Sequence, residues 1–422
     1  MCFGRSVSLL CTVLFFFASC GNREQESTSL VFWSSTNAQE IDFSRKYIAL
    51  WNSNPSNKPI DFQPVPEGQS SEEVVLAAVV GMTTPDIYAN MWQGDVEDFA
   101  QSGVLTALDT LDGFMEFLYA RCDSSVIKEI TSQDGHIYQI PWKVNPIMMM
   151  YNPKVFEIAG ISDVPDEYED YLEAGRKLKQ KNLMLGISET GAIWWQRFFN
   201  FLPLYYAASG GMPLVENGKA VFNNEYSVGV FTFLQKLYSN GYFPREQLKG
   251  QSDPFLASRL AITFTGPWTI PYNEQFKADG FEFEFAPVPL SDTSSAPIYS
   301  YGDPKNIVIF NTCRDPQSAW RFLKTILTTE ADKDFLELSG QMPRRKDLDS
   351  NPLFLSYLES HHKLLAFAKQ AKYVRGIDSQ THMKEVLDLI SAEYEACVVY
   401  GKKDPREAIE DAAKAVELLY ID

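Results

Sequence analysis

The chain has 422 residues, 45% hydrophobic and 22% charged, which is globular composition at a length that suits two or three domains. Its 55 acidic residues outnumber 37 Lys and Arg, for a net charge of −18. Such a surface repels nucleic-acid phosphates and anionic lipid headgroups, which argues against both as partners, and leaves the charge of a small ligand open.

The chain opens on a secretion pattern. Arg5 supplies a basic start, and Val7 to Phe17 is an apolar run of signal-peptide length, too short to span a bilayer. It ends Phe17-Ala18-Ser19-Cys20-Gly21. This ending resembles a bacterial lipobox, with Phe17 where Leu is usual, and implies that Cys20 is lipidated and becomes the mature N-terminus. Residues 1–19 are then signal, and 20–29, polar and featureless, are a tether. Cys2 and Cys11 fall in the signal, so Cys122, Cys313 and Cys397 remain. Three widely spaced cysteines form neither a disulfide framework nor a metal-ligand pattern, although one pair is free to form.

Beyond the tether, Leu30 to Ser35 reads as a strand ending in Trp33 and two hydroxyls. A helix is predicted from Gln39 to Trp51, a strand from Ile60 to Val65, a helix from Glu72 to Val80 stopped by Gly81, and a strand from Pro85 to Ala89. Strands alternating with helices predict a parallel sheet with crossover helices. Further on, Asp166 to Leu178 and Ser227 to Asn240 are helical patterns, and Leu260 to Thr265 suits a short buried strand. Gly266-Pro267 ends that strand and Trp268 follows at once. Two readings fit Trp268: a core residue closing the strand, or an apolar wall beyond the strand's carboxyl end, where open α/β sheets place ligands.

Catalytic patterns are missing. Of four His (136, 361, 362 and 382), none stands in HExxH or beside paired Cys, and no GxSxG or GxxxxGK[ST] occurs. Glu72-Glu73 and Glu282/Glu284 are pairs expected among 55 acidic residues and show no glycosidase spacing, and Glu282 and Glu284, alternating on a predicted strand, read as a solvated face. No metal site, cofactor or catalytic residue is expected. What stands out is aromatic content, with 8 Trp and 20 Tyr. Trp51 and Trp320 lie in helical patterns and read as core. Trp33, Trp92, Trp142 and Trp194-Trp195 each stand beside polar residues: Ser34 and Ser35, Gln93 and Asp95, Lys143 and Asn145, Gln196 and Arg197. An apolar plate with a polar neighbour suits a sugar, whose C–H face stacks on a ring while its hydroxyls need donors and acceptors. Packing alone also explains each one.

A family resemblance covers nearly the whole mature chain. Ala77 to Tyr88, Phe99 to Leu108, Gly135 to Trp142, Tyr151 to Phe156, Gly218 to Asn223, Ser227 to Asn240, Phe285 to Pro289, Asp315 to Leu327 and the helical C-terminus from Met383 stand in the order of the extracellular solute-binding proteins of ABC importers, the family of the maltodextrin-binding proteins. Leu260 to Tyr272 resembles the segment carrying that family's stacking Trp. Glu167-Tyr168 stands where the family usually has a Thr-Trp pair.

The resemblance implies an α/β, two-lobe periplasmic-binding-protein-like fold of type II kind, with a cleft between lobes joined by three crossings. The first lobe would comprise 30–141 plus 302–343, and the second 142–301 plus 344–422. The crossings fall at Pro141–Pro146, Ile298–Gly302 and Gln341–Arg344. It further implies a monomeric lipoprotein of the cell envelope that binds a sugar or oligosaccharide and hands it to ABC permease subunits, touching the membrane only through its anchor. The expected ligand-binding residues are Trp33, Ser34, Ser35, Trp92, Asp95, Trp142, Lys143, Trp194, Trp195, Trp268, Tyr301, Gly302 and Arg344. The alternatives are a non-sugar solute such as a phosphorylated polyol or peptide, met by Lys143, Arg197 or Arg344; a secreted polysaccharide-acting enzyme; and a surface adhesin on the same fold.

Overall fold

The computed structural model describes residues 29–66, 70–186, 200–246, 248, 253–291 and 297–421. The signal, Cys20 and the tether up to residue 28 lie outside the described residues. So do Trp194 and Trp195.

The strands are β1 (Leu30–Ser34), β2 (Ile60–Pro64), β3 (Ile87–Trp92), β4 (Ile140–Lys143), β5 (Met148–Tyr151), β6 (Met184–Gly186), β7 (Val215–Glu216), β8 (Lys219–Ala220), β9 (Leu260–Thr265), β10 (Glu284–Ala286), β11 (Ser300–Tyr301), β12 (Lys305–Ile309) and β13 (Val374–Arg375). They build two main sheets, one in each lobe.

The first sheet runs β2-β1-β3-β12-β4. β1 is parallel to β2 and to β3, while β12 returns antiparallel to β3 and β4. The predicted β-α-β-α-β start is present, built by helices Ala38–Asn52 and Ser71–Val80. Each has its own cap. Asn37 Oδ1 accepts from the amides of Gln39 and Glu40, and Ser70 Oγ accepts from that of Glu73. The helices cover opposite faces of the sheet. Phe32 packs with Phe43 and Ile48 of the first helix, and Trp33, next in the strand, packs with Val75 and Ala78 of the second. Successive strand side chains point to opposite faces, so one apolar strand serves two core layers.

The second sheet runs β10-β5-β9-β6. β5 is antiparallel to both its neighbours, and β6 is parallel to β9. Helices Phe201–Ser209, Glu225–Ser239, Met383–Tyr394 and Pro405–Leu418 contribute to the large apolar cluster that fills this lobe.

Three chain segments run side by side between the sheets. Val144 N donates to Met342 O at 2.8 Å, Asn145 N to Gly302 O at 2.6 Å, and Ile147 N to Tyr301 O at 2.8 Å. Arg344 N donates to Trp142 O at 2.9 Å. β11 is further paired with β13, so a fourth piece of chain lies against the crossings. The first crossing starts later than its sequence limit at Pro141. Trp142 and Lys143 belong to β4 of the first sheet, because Lys143 is in register with Lys305 of β12. Gly302 sits where the crossings are tightest, and a Cβ there would stand 2.7 Å from Val144 and 2.9 Å from Val374.

Candidate functional site

In the first sheet the strand order reverses at β1, with β2 on one side and β3 on the other. A doubly wound sheet opens a crevice at the carboxyl ends of the strands flanking such a point. Those ends carry Ser34, Ser35, Trp92 and, just beyond β3, Asp95. The return strand β12 is antiparallel, so its first residue, Lys305, sits at the same edge, in register with Trp92 and with Lys143.

Two polar clusters occupy this edge, the first buried and the second partly exposed. In the first, Lys143 and Glu40 form an ion pair and are both almost fully buried. Ser35 Oγ donates to Glu40 Oε2 at 2.7 Å, Gln341 Nε2 to Glu40 Oε1 at 2.5 Å, and Asn145 Nδ2 to Gln341 Oε1 at 2.9 Å. Burial lowers the Lys143 pKa, and Glu40 opposes that shift. In the second cluster, Lys305 Nζ lies 3.3 Å from Glu72 and 3.9 Å from Asp303. Burial works against the Lys305 charge, but Asp303 and Glu72 outweigh it and raise its pKa. Asp95 stands beside this cluster. Burial first, then the Glu72 carboxylate, pushes its pKa up to about 7, against the pull of Lys305 and Lys384. A carboxyl poised near neutrality can donate as well as accept a hydrogen bond, which suits hydroxyl recognition.

In the second lobe, β6 and β9 run parallel, so their carboxyl ends share one edge. After β9 the chain turns at Gly266-Pro267, and Trp268 stands as the N-cap of helix Thr269–Phe276. Its ring folds back over Gly266, where a Cβ would stand 2.0 Å from a ring carbon. The ring packs on the second lobe's apolar cluster and stays half-buried.

The expected residues separate by environment. Ser35, Asp95, Lys143 and Trp268 stand at the strand ends just described. Ser34 is fully buried, its hydroxyl on the Ser35 carbonyl at 3.0 Å. Trp33 is 8% exposed and packs in the first lobe between sheet and helix Ser71–Val80. Trp142 is in the opposite core layer of that lobe, its ring 4.9 Å from that of Phe335. Trp92 leaves the first sheet and belongs to the apolar cluster of the second lobe, together with Tyr301, so it bridges the lobes. Arg344 is buried and ion-paired with Glu129 at 2.8 Å, with Cys122, Ser125 and Arg375 around it rather than the strand-end residues. Trp194 and Trp195 follow β6 and lie outside the described residues. Glu40, Glu72, Asp303, Lys305 and Gln341 are not among the residues that the sequence singles out for ligand contact, and Asn145 enters that reading only as a polar neighbour of Trp142. Two had a local signal. Glu40 opens a helix directly after a strand end, and Lys305 opens an apolar strand directly after the Gly302-Asp303-Pro304 turn.

Among the described residues no helix is long and apolar enough to cross a membrane, and no cluster of three His, Cys, Asp or Glu could hold a metal ion. Cys122, Cys313 and Cys397 are buried thiols.

Two α/β lobes, joined by parallel-running crossings and presenting polar strand ends on one side and a half-open Trp on the other, define a two-lobe ligand-binding protein. The chain belongs to the bacterial extracellular solute-binding protein family, which it matches over residues 56–357. It is 23% identical over 344 residues to a maltotriose-binding protein of Pyrococcus abyssi, covering 79% of this chain and 69% of that one. It is 21% identical to a galactooligosaccharide-binding protein of Bacillus subtilis, over 98% and 96% of the two chains. Among solved structures, an uncharacterized protein of Listeria monocytogenes superposes with a TM-score of 0.82 at 25% identity, covering 93% of this chain and all of that one. The cyclic α-maltosyl-1,6-maltose binding protein of Arthrobacter globiformis shares the fold with a TM-score of 0.77 at 18% identity, covering 93% and 98%.

Proposed function

We propose that this protein is a lipid-anchored binding protein that captures a neutral sugar or oligosaccharide in the cleft between its lobes and delivers it to an ABC permease. The observation that carries the reading is the pairing of one half-buried ring, Trp268 beyond β9, with a polar strand-end cluster around Asp95 and Lys305 in the other lobe. A sugar needs both, a plate for its C–H face and donors and acceptors for its hydroxyls. The lysines at the first-lobe edge already have carboxylate partners, Lys143 with Glu40 and Lys305 with Glu72, which favours an uncharged ligand. Relatives named for maltotriose, arabinooligosaccharides and galactooligosaccharides support the substrate class. A relative in Streptococcus pneumoniae named as a solute-binding lipoprotein supports the anchor.

The mechanism needs no chemistry from the protein. A ligand touching both lobes gains contacts that a ligand touching one lobe lacks, and this difference drives closure about the crossings. A panel of neutral oligosaccharides, screened by thermal shift and titrated by calorimetry, tests the reading. One class should raise the melting temperature, because a ligand at 100 times its Kd stabilises by about 2.7 kcal/mol. If no saccharide shifts a protein that melts cooperatively, and a peptide or phosphorylated polyol does, the substrate class is wrong. Release of reducing sugar from a polysaccharide would instead make the protein an enzyme.

A further inference from the structure

A cavity lies beside the crossings, bordered by Val144 and Arg344. It holds about 200 Å³, far more than the ~10–15 Å³ a single water needs. Its walls come from both lobes and the segments between them. Asp123 to Glu129 comes from the first-lobe side, Gly210, Gly211 and Tyr299 from the second, and Val144, Arg344 and Arg375 from the joining segments. None of Glu40, Asp95, Lys143, Lys305 and Trp268 borders it. Val144 faces the cavity, whereas Asn145, next in the chain, bonds Gln341 in the Glu40 cluster.

The charge of this wall runs against that of the protein. Arg344, Arg345, Lys346, Lys372 and Arg375 line it, against the carboxylates of Asp123 and Glu129. Several of these cations are steadied by carboxylates: Arg344 by Glu129 at 2.8 Å, Arg345 by Asp347 at 2.9 Å, Lys372 by Asp349 at 2.7 Å and Arg375 by Asp378 at 3.3 Å. Donors are left over. Arg344 is 4% exposed, and its Nη1 has no hydrogen-bond partner among the described residues; nor has the buried Nε of Arg375. A buried guanidinium N–H without an acceptor costs free energy that an oxyanion would recover. Lys346 Nζ donates to the carbonyl of Tyr119 at 2.9 Å, which leaves its charge unneutralised by that bond.

We propose that this cavity is a binding site for a small oxyanion, held chiefly by Arg344 and Arg375 with Lys372 and Lys346 at its rim. Because its walls come from both lobes, an anion bound there favours the arrangement of lobes in which the cavity is formed. The site is independent of the saccharide reading and stands whether or not a sugar binds the cleft.

The test uses the full chain without saccharide. Sodium phosphate, sulfate and acetate are titrated calorimetrically, and melting curves are recorded against sodium chloride at equal ionic strength. Phosphate or sulfate should bind and raise the melting temperature beyond chloride. Preference for these identifies a tetrahedral inorganic anion, and preference for acetate identifies a carboxylate. Arg375→Gln should weaken binding at least tenfold. Lys372→Gln, at a half-exposed lysine that leaves the core untouched, should weaken it several-fold with an unchanged ligand-free melt. The proposal is overturned if no oxyanion acts beyond chloride, or if binding is unaltered in Lys372→Gln and in folded Arg375→Gln.

Discussion

Adding one methyl group beneath Trp268 tests the cleft wall without removing the ring. The ring lies over Gly266, and a Cβ built there would meet ring carbons at 2.0 and 2.4 Å. Gly266 does not have a positive φ, so alanine fits the backbone itself. The three nearest atoms all belong to the ring, which must retreat from 2.0 Å to the 3.4 Å of ordinary contact, a shift of about 1.4 Å. A sugar stacked on roughly 100 Å² of indole gains on the order of 2.5 kcal/mol at about 25 cal/mol per Å². A gap of 0.5–1 Å already forfeits a quarter to a half of contact attraction, so Gly266→Ala should lose about 1.2 kcal/mol. That is nearly tenfold in Kd, and Trp268→Ala should approach two orders of magnitude. Calorimetric titration with the saccharide found in the panel measures both. Urea melts of the ligand-free proteins separate this from damage to the core, since truncating a buried Trp costs about 3–5 kcal/mol of stability. Unchanged affinity in both variants, or a stability loss large enough to explain the weaker binding, would refute the stacking role.

Asp95 should give stability a pH slope. Its pKa is raised to about 7 in the folded protein against about 3.9 unfolded, so between these values the native state holds the extra proton. Stability from this group therefore falls as pH rises from about 4 to 7 and levels off above. Asp95→Asn should remove that slope, and a difference in urea midpoint between the two proteins that is constant from pH 4.5 to 8 would contradict it. Lys143→Met leaves Glu40 buried without its cation and should cost about 3–5 kcal/mol in denaturant melts. A loss below about 1 kcal/mol would show that the pair is solvated and not a buried floor. Cys20→Ser should move the protein out of the membrane fraction, because the acyl chains it would lose contribute about 0.8 kcal/mol per buried CH₂. Unchanged detergent partitioning would disprove the anchor.

Local signals carried much of the fold. Leu260 to Thr265 is a strand with the bounds its alternation predicts, and Gly266-Pro267 delivers Trp268 where expected. The capped helices after β1 and β2 were equally legible. The tryptophans with polar neighbours were less so, for a geometric reason. On a strand, adjacent side chains point to opposite faces. A polar residue turned to one side therefore sends the Trp before it to the other, as with Trp142 in the core against Phe335 and Lys143 on Glu40. The pattern reports an amphipathic strand end, and which residue meets a ligand depends on the face. The charged clusters were out of reach because their partners are remote in sequence. Glu40 meets Lys143 and Gln341, and Lys305 meets Glu72, only after the crossings are assembled.

Hydrogen exchange with and without saturating oligosaccharide tests the central claim most directly, because it locates the ligand on both lobes at once. Binding between the lobes predicts slowed exchange in peptides covering Trp33–Glu40, Trp92–Asp95 and Asp303–Lys305 of one side and Gly266–Thr269 of the other. Protection confined to one lobe, or to the cavity walls around Glu129 and Arg375, would contradict it.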